Sequence, residues 1–265
     1  NYTNIRIEID RGTRTANLNI LAPTTAPPAD ADGIHALGDQ FWSLRMAREL
    51  DDAILHLRTN ENEIGTWLFQ TSGDAALVAA HDATLAANQG HWLVREITLF
   101  LKRVFKRIDV TSRSIFAIIE PASCFTGTLL ELALAADRSY MLDGQFEGDN
   151  RPVAMISLTA MNFGPYEMVN GLTRLQSRYL NDPATVEALR KRQGEAMDAL
   201  TAEEAGLITF PPDDIDWEDE IRIAVEERAA FSPDALTGME ANLRFGGQET
   251  MESKIFSRLS AWQNW

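Results

Sequence analysis

The residues best suited to chemistry lie in one stretch, 118–137, which reads Ile-Ile-Glu-Pro-Ala-Ser-Cys-Phe-Thr-Gly-Thr-Leu-Leu-Glu-Leu-Ala-Leu-Ala-Ala-Asp. An apolar run passes through a loop of small residues and opens directly onto a helical pattern. Backbone N–H groups at such a helix start have no partner inside the helix, so they can hold an anion or a developing oxyanion. Glu131 falls one turn into that helix. A carboxylate there, facing the same cavity, can act as general acid or base. Cys124 sits in the loop, where a helix N-terminus lowers a thiol pKa. Each also has a plainer reading. Glu131 would simply stabilise the positive end of the helix, and Cys124 would pack inertly beside a buried strand, which is the reading favoured for it.

The elements that must position these residues follow from hydrophobic spacing. Ile5, Ile7 and Ile9 alternate with polar residues, as do Ala16, Leu18 and Ile20, around Asp-Arg-Gly-Thr at 10–13. Two period-two runs around a glycine turn predict a hairpin with one covered face. Residues 22–34, rich in Ala, Pro and Asp, predict a surface loop. Asp39 is a candidate N-cap for a helix reaching about Arg58, with Leu44, Ala47, Leu50, Ile54 and Leu57 inward. Buried strands are expected at 64–70 and 114–119, a loop at 71–74, a helix over 92–107 and a short strand at 139–142. Strands alternating with helices, two of them apolar throughout, point to a parallel α/β core. From about Pro183 the pattern is helical. The expected division is an α/β core over 1–182 and a helical C-terminal extension over 183–265.

Composition narrows the function classes. The chain has 265 residues, 45% hydrophobic and 24% charged, with a net charge of −15. Nucleic acid and anionic membranes are polyanions, so neither is an expected partner of so acidic a chain. A single cysteine excludes an internal disulfide and fits a reducing cytoplasm. His35, His56 and His91 show no ligand-like spacing with carboxylates, so no metal is expected. No apolar run approaches a membrane span. The opening on Asn1, without Met and almost at once in a strand pattern, and the aromatic close at Trp265 read as cuts through a longer protein.

The order of these residues resembles the crotonase (enoyl-CoA hydratase/isomerase) superfamily. Gly127 followed by Glu-Leu-Ala-Leu-Ala-Ala-Asp at 131–137 is similar to that family's glycine-rich loop and helix. The strand at 64–71 followed by Leu-Val-Ala-Ala-His-Asp at 77–82 is similar to its strand and Phe-Ala/Ser-Ala-Gly-Ala-Asp loop, and Thr-Ala-Glu-Glu-Ala-Gly-Leu-Ile at 201–208 to its C-terminal signature. The resemblance implies a spiral of ββα units with a C-terminal helical layer. It also implies an acyl-CoA thioester site in which two backbone N–H groups polarise the carbonyl. Carried over, those donors fall on His81 and Thr128, and the first catalytic carboxylate on Glu131. Only the His81 backbone would act, its imidazole having a surface or packing role rather than an acid–base one. Two departures stand out: Ala80, Thr128 and Leu129 replace loop glycines, and the second catalytic carboxylate falls near Ala160, with only Thr159 and Asn162 polar beside it.

Within the superfamily, Ser-Cys-Phe-Thr-Gly-Thr-Leu-Leu-Glu (123–131), Met-Asn-Phe-Gly (161–164), Asn-Gly-Leu-Thr-Arg-Leu (170–175) and the run at 232–245 resemble the C-terminal half of the benzoyl-CoA-dihydrodiol lyase (2,3-epoxybenzoyl-CoA dihydrolase) family. That family joins two crotonase-like halves. It opens the ring of an oxygenated benzoyl-CoA to 3,4-dehydroadipyl-CoA semialdehyde and formate, in aerobic benzoate breakdown. The resemblance implies a cytoplasmic lyase/hydrolase acting on an aromatic acyl-CoA. Its partners would be a missing N-terminal half and further copies of the chain, with coenzyme A carried by the substrate and no separate cofactor. Three roles stay open, in this order: a scaffold within the lyase, a half contributing Glu131 and Cys124 to catalysis, or a free-standing enoyl-CoA hydratase/isomerase-type enzyme. Gly-Leu-Thr-Arg at 171–174 reads as helix packing, with a phosphate as the alternative partner of Arg174. Phe231, Leu236, Met239, Leu243, Phe245 and Trp262 form an apolar side of the tail, read either as plain core or, as the resemblance implies, as a surface between subunits.

Overall fold

A computed structural model describes residues 2–245, 249–260 and 263. Trp262 and Trp265 therefore lie outside the described residues. Five strands form one sheet in sequential order: β1 (Ile5–Asp10), β2 (Thr15–Leu21), β3 (Thr66–Ser72), β4 (Ser114–Ile119) and β5 (Arg138–Met141). The expected hairpin is there, β1 and β2 running antiparallel with Ile5 opposite Ile20, and every later pairing is parallel. Arg6, Glu8 and Asp10 point outward from the edge strand β1, where charge discourages pairing with another chain.

The helices of the first two thirds are α1 (Ala31–Leu37), α2 (Trp42–Asn60), α3 (Ala75–Ala87), α4 (Trp92–Asp109) and α5 (Leu130–Ala135). Asp39 does not cap α2. It lies in a 3-10 turn, and the helix starts two residues after that turn, with Phe41 at the cap position and no side-chain cap. The inward stripe holds at Ala47, Leu50, Ile54 and Leu57, all buried, with Trp42, Met46 and Ala53 beside them and Leu44 only half-buried. A larger difference is α3. Its 13 residues, Ala-Ala-Leu-Val-Ala-Ala-His-Asp-Ala-Thr-Leu-Ala-Ala, are not a loop, because alanine and leucine are strong helix formers and Asp74 caps Ala76 N–H at 2.8 Å. The loop after β3 is only Gly73 and Asp74.

All six residues of β4 are buried, and the strand serves two cores. Ile115, Ala117 and Ile119 face the main core with α2 and α4, whereas Phe116 and Ile118 pack with Tyr140, Leu142 and, from α9 (Trp217–Ala230), Trp217, Ala224 and Val225. Beyond residue 182 the described elements are helical: α7 (Pro183–Arg190), α8 (Ala199–Glu204), α9, α10 (Pro233–Leu243) and α11 (Met251–Lys254) with its π-helical continuation (Ile255–Leu259), after α6 (Arg174–Arg178). The main core does not stop there, since Val186, Leu189, Met197, Ala202 and Leu207 belong to it. No helix among the described residues is long and apolar enough to cross a membrane.

Candidate functional site

The loop between β4 and α5 is shaped residue by residue. Glu120 N–H donates to Ser123 Oγ, Cys124 N–H to Thr71 Oγ1 at 2.8 Å, and Gly127 N–H to Ser157 O at 3.0 Å. Gly127 takes φ 47°, and a Cβ there would overlap Asp82 Oδ2 and Thr159 Oγ1. Only glycine satisfies both the left-handed backbone and that close approach.

The reason for the crowding is Asp82, on α3. Its Oδ2 accepts the Thr128 N–H at 2.8 Å and the Thr159 hydroxyl at 2.8 Å, and its Oδ1 accepts the Thr128 hydroxyl. Tyr166 O–H completes the cluster by donating to Thr128 Oγ1 at 3.0 Å. Asp82 is buried, and burial pushes its pKa up to about 6, against the hydrogen bonds that pull it down. The helix start is thus already filled by a carboxylate. The following N–H groups of Leu129, Leu130 and Glu131 are bonded to the carbonyls of Thr126 and Gly127. No uncommitted donor is left at this turn for a thioester carbonyl.

Glu131 is one turn on and equally committed. Asn162 Nδ2 donates to Oε1 at 2.7 Å and Arg174 Nη1 to Oε2 at 2.7 Å. Arg174, the first residue of α6, grips Asp109 with Nε and Nη2 at 3.1 and 2.7 Å and gives a further bond to Tyr166 O. Glu131, Arg174 and Asp109 have side chains at most 2% exposed. Burial raises the Glu131 carboxyl above its ordinary value, with Arg174 and Asn162 pulling only partly against it. Arg174 itself is held charged by its two carboxylates against the burial that disfavours its charge. Such a triad keeps its charges only because each is paired and hydrogen-bonded. The 171–174 turn is therefore helix packing, and Arg174 does not face a phosphate.

His81 and Cys124 both lie packed in the interior, Cys124 as its inert reading expects. His81 sits in the middle of α3, where its N–H belongs to the helix ladder rather than to an oxyanion hole. Its ring packs against Phe41 and Trp42 at 5.2 and 5.3 Å, Nε2 donates to Thr25 O at 3.2 Å, and Nδ1 is buried with no hydrogen-bond partner among the described residues. Burial keeps that imidazole neutral. Cys124 is fully buried, and burial pushes its thiol up to about 11, so it is not a thiolate at neutral pH.

Open space lies beside the cluster. A pocket of about 280 Å³ is bordered by Ala79, Ala83, Ala160 and Gly194 and reaches Asp82 and Thr159. Ala160, near which the family's second carboxylate position falls, contributes only a methyl group. Neither Glu131, Cys124, His81 nor Thr128 lines this pocket. Among the described residues no group of three or more His, Cys, Asp or Glu could hold a metal ion. Sequence reasoning missed Asp82, Asp109 and Tyr166. The available signal was a lone acid on the buried face of α3, among Val78, His81 and Leu85.

The chain is 54% identical over 264 residues to a benzoyl-CoA-dihydrodiol lyase from Aromatoleum evansii, covering all of this chain and 47% of that protein. It thus spans about half the length of the curated relative it matches. No family model matches the chain. Among solved structures, an enoyl-CoA hydratase from Bacillus anthracis superposes with a TM-score of 0.65 at 16% identity, over 98% of this chain and 90% of the other. An enoyl-CoA hydratase/isomerase from Marinobacter aquaeolei gives 0.64 at 16% identity over the same shares. The chain is a crotonase-fold protein and, along its whole length, a homologue of about half of a benzoyl-CoA-dihydrodiol lyase.

Proposed function

We propose that the chain is the C-terminal, structural half of a benzoyl-CoA-dihydrodiol lyase, a crotonase fold whose thioester site is filled by its own side chains. The observation that carries this reading is the Thr128 N–H, the donor expected to polarise an acyl-CoA carbonyl, bonded instead to Asp82 Oδ2 at 2.8 Å. A neutral carbonyl could take that place only by stripping a buried carboxylate of its donors. Hydrogen bonds to charged groups contribute about 1.5–3 kcal/mol each, so the exchange is strongly unfavourable. Glu131 committed to Asn162 and Arg174, Ala160 without a carboxylate and a protonated Cys124 support the same reading.

In it, conversion of the 2,3-epoxy or dihydrodiol benzoyl-CoA to 3,4-dehydroadipyl-CoA semialdehyde and formate takes place in the N-terminal half, which this half buries and shapes. The coenzyme A belongs to the substrate, and no separate cofactor is invoked. A lone, buried, reduced cysteine fits the cytoplasm, and the apolar residues of the tail suit contacts with the other half or with a second copy.

The test is calorimetric titration of the folded chain with benzoyl-CoA, with free CoA as control. The expected result is no saturable heat beyond that of CoA. Micromolar binding specific to benzoyl-CoA overturns the structural reading.

A further inference from the structure

At the C-terminal end of α5, away from the loop just described, lies a cleft of about 340 Å³ between α5, α6 and α10. That is within the range of small-molecule sites. Its charged side chains are paired with one another, with one exception. Asp109 is taken by Arg174, and Asp137 by two bonds from Arg244, at 2.8 Å from Nε and 2.6 Å from Nη2. Glu240 accepts from Ser114 Oγ at 3.0 Å and has Arg228 and Arg244 both at 3.8 Å.

Arg178 is the exception. It lines the cleft, and among the described residues its one hydrogen bond runs from Nη1 to Gly206 O at 2.7 Å and it has no ion pair with a carboxylate. Burial lowers its pKa, opposed only by the neighbouring Tyr179. A guanidinium with uncommitted donors presents a planar fork that matches a carboxylate. Leu134, Met168, Met239 and Leu243 give the cleft apolar walls, and Ser177 adds a hydroxyl.

We propose that this cleft binds a small organic monocarboxylate, its anionic end on Arg178 and its apolar body against Leu134, Met168, Met239 and Leu243. A phosphate is the poorer fit, because it would bring a second negative charge close to Glu240 and leave the apolar walls uncovered.

Hexanoate is the probe, compared by calorimetry with hexanol and inorganic phosphate. Hexanoate gives saturable binding, hexanol none, and phosphate weaker binding than hexanoate. Arg178→Gln lowers hexanoate affinity about tenfold or more, the loss expected for one charge-assisted contact. Leu243→Glu places a like charge at a position 66% exposed, where folding tolerates it, and also weakens hexanoate; this variant decides the matter if Arg178→Gln does not fold. Arg222→Gln, in an exposed pair on α9, leaves binding unchanged. The proposal is overturned by no saturable hexanoate binding, by hexanol or phosphate binding at least as well, or by undiminished binding in the folded Arg178 and Leu243 variants.

Discussion

Replacing Glu131 by Gln separates the structural from the catalytic reading of this residue. The carboxylate accepts one bond from Asn162 and one from Arg174, both at 2.7 Å, with 1% of its side chain exposed. Glutamine keeps the shape but offers one acceptor and one donor, so one of those two buried donors meets an N–H and loses its partner. A buried donor left unsatisfied costs about 1–3 kcal/mol. Arg174 remains paired with Asp109 through two bonds, so no isolated charge is created and the larger penalty of a broken ion pair is avoided. At a chain length just above 250 residues each kcal/mol lowers Tm by about 2–4 °C. The assay is thermal unfolding together with turnover by the complete two-half enzyme. Tm should fall by about 2–12 °C, while turnover stays at the level of the unaltered enzyme. Removing a general acid or base instead costs about a hundredfold to ten-thousandfold. A fall of that size with Tm unchanged would refute the structural assignment.

Arg174→Met strips two buried carboxylates of their cation and should destabilise by about 3–5 kcal/mol, measured by denaturant unfolding; a change below about 1 kcal/mol would mean that the triad is wrongly drawn. Gly127→Ala forces a side chain into a left-handed backbone against Asp82 and should destabilise by at least about 2 kcal/mol, with a neutral result dissolving the Asp82 cluster. Asp82 gives a pH dependence. Its folded pKa of about 6 lies above the ordinary 3.8, so the folded state binds the proton more tightly. Stability is then fully present below the ordinary value and declines as pH rises through 6, by about 3 kcal/mol in total. The denaturant midpoint should be higher near pH 5 than near pH 8, and Asp82→Asn should flatten that slope; an unaltered slope in the variant would assign it to other groups. Cys124 should react with a thiol reagent only at the rate of global opening, and rapid labelling of the native protein would contradict its burial.

The parts of the fold legible in the sequence were those with a clean period. The hairpin of β1 and β2, the all-apolar β4 and the amphipathic α4 each state their environment within a few residues. α3 was not legible, because a run of alanines has almost no contrast between faces, and its likeness to a loop motif outweighed helix propensity. The resemblance of the 127–137 segment located the loop and Glu131 correctly. What the local pattern could not contain was the chemistry's suppression, since the partners lie far along the chain: Asp82 is 46 residues from Thr128, and Arg174 is 43 from Glu131. A site can be recognised from one segment, but whether it is vacant depends on the others.

The two-sided burial of β4 has a consequence during synthesis. Phe116 and Ile118 find their cover in Trp217, Ala224 and Val225, so the ribosome must add about a hundred further residues before that face of the sheet closes, roughly 5–20 s at ordinary elongation rates. For that interval Ser-Ile-Phe-Ala-Ile-Ile, without a charge or a proline, is the kind of segment that pairs with its own copies in other nascent chains. Delayed arrival of α9 thus makes β4 the segment on which a holdase chaperone would act.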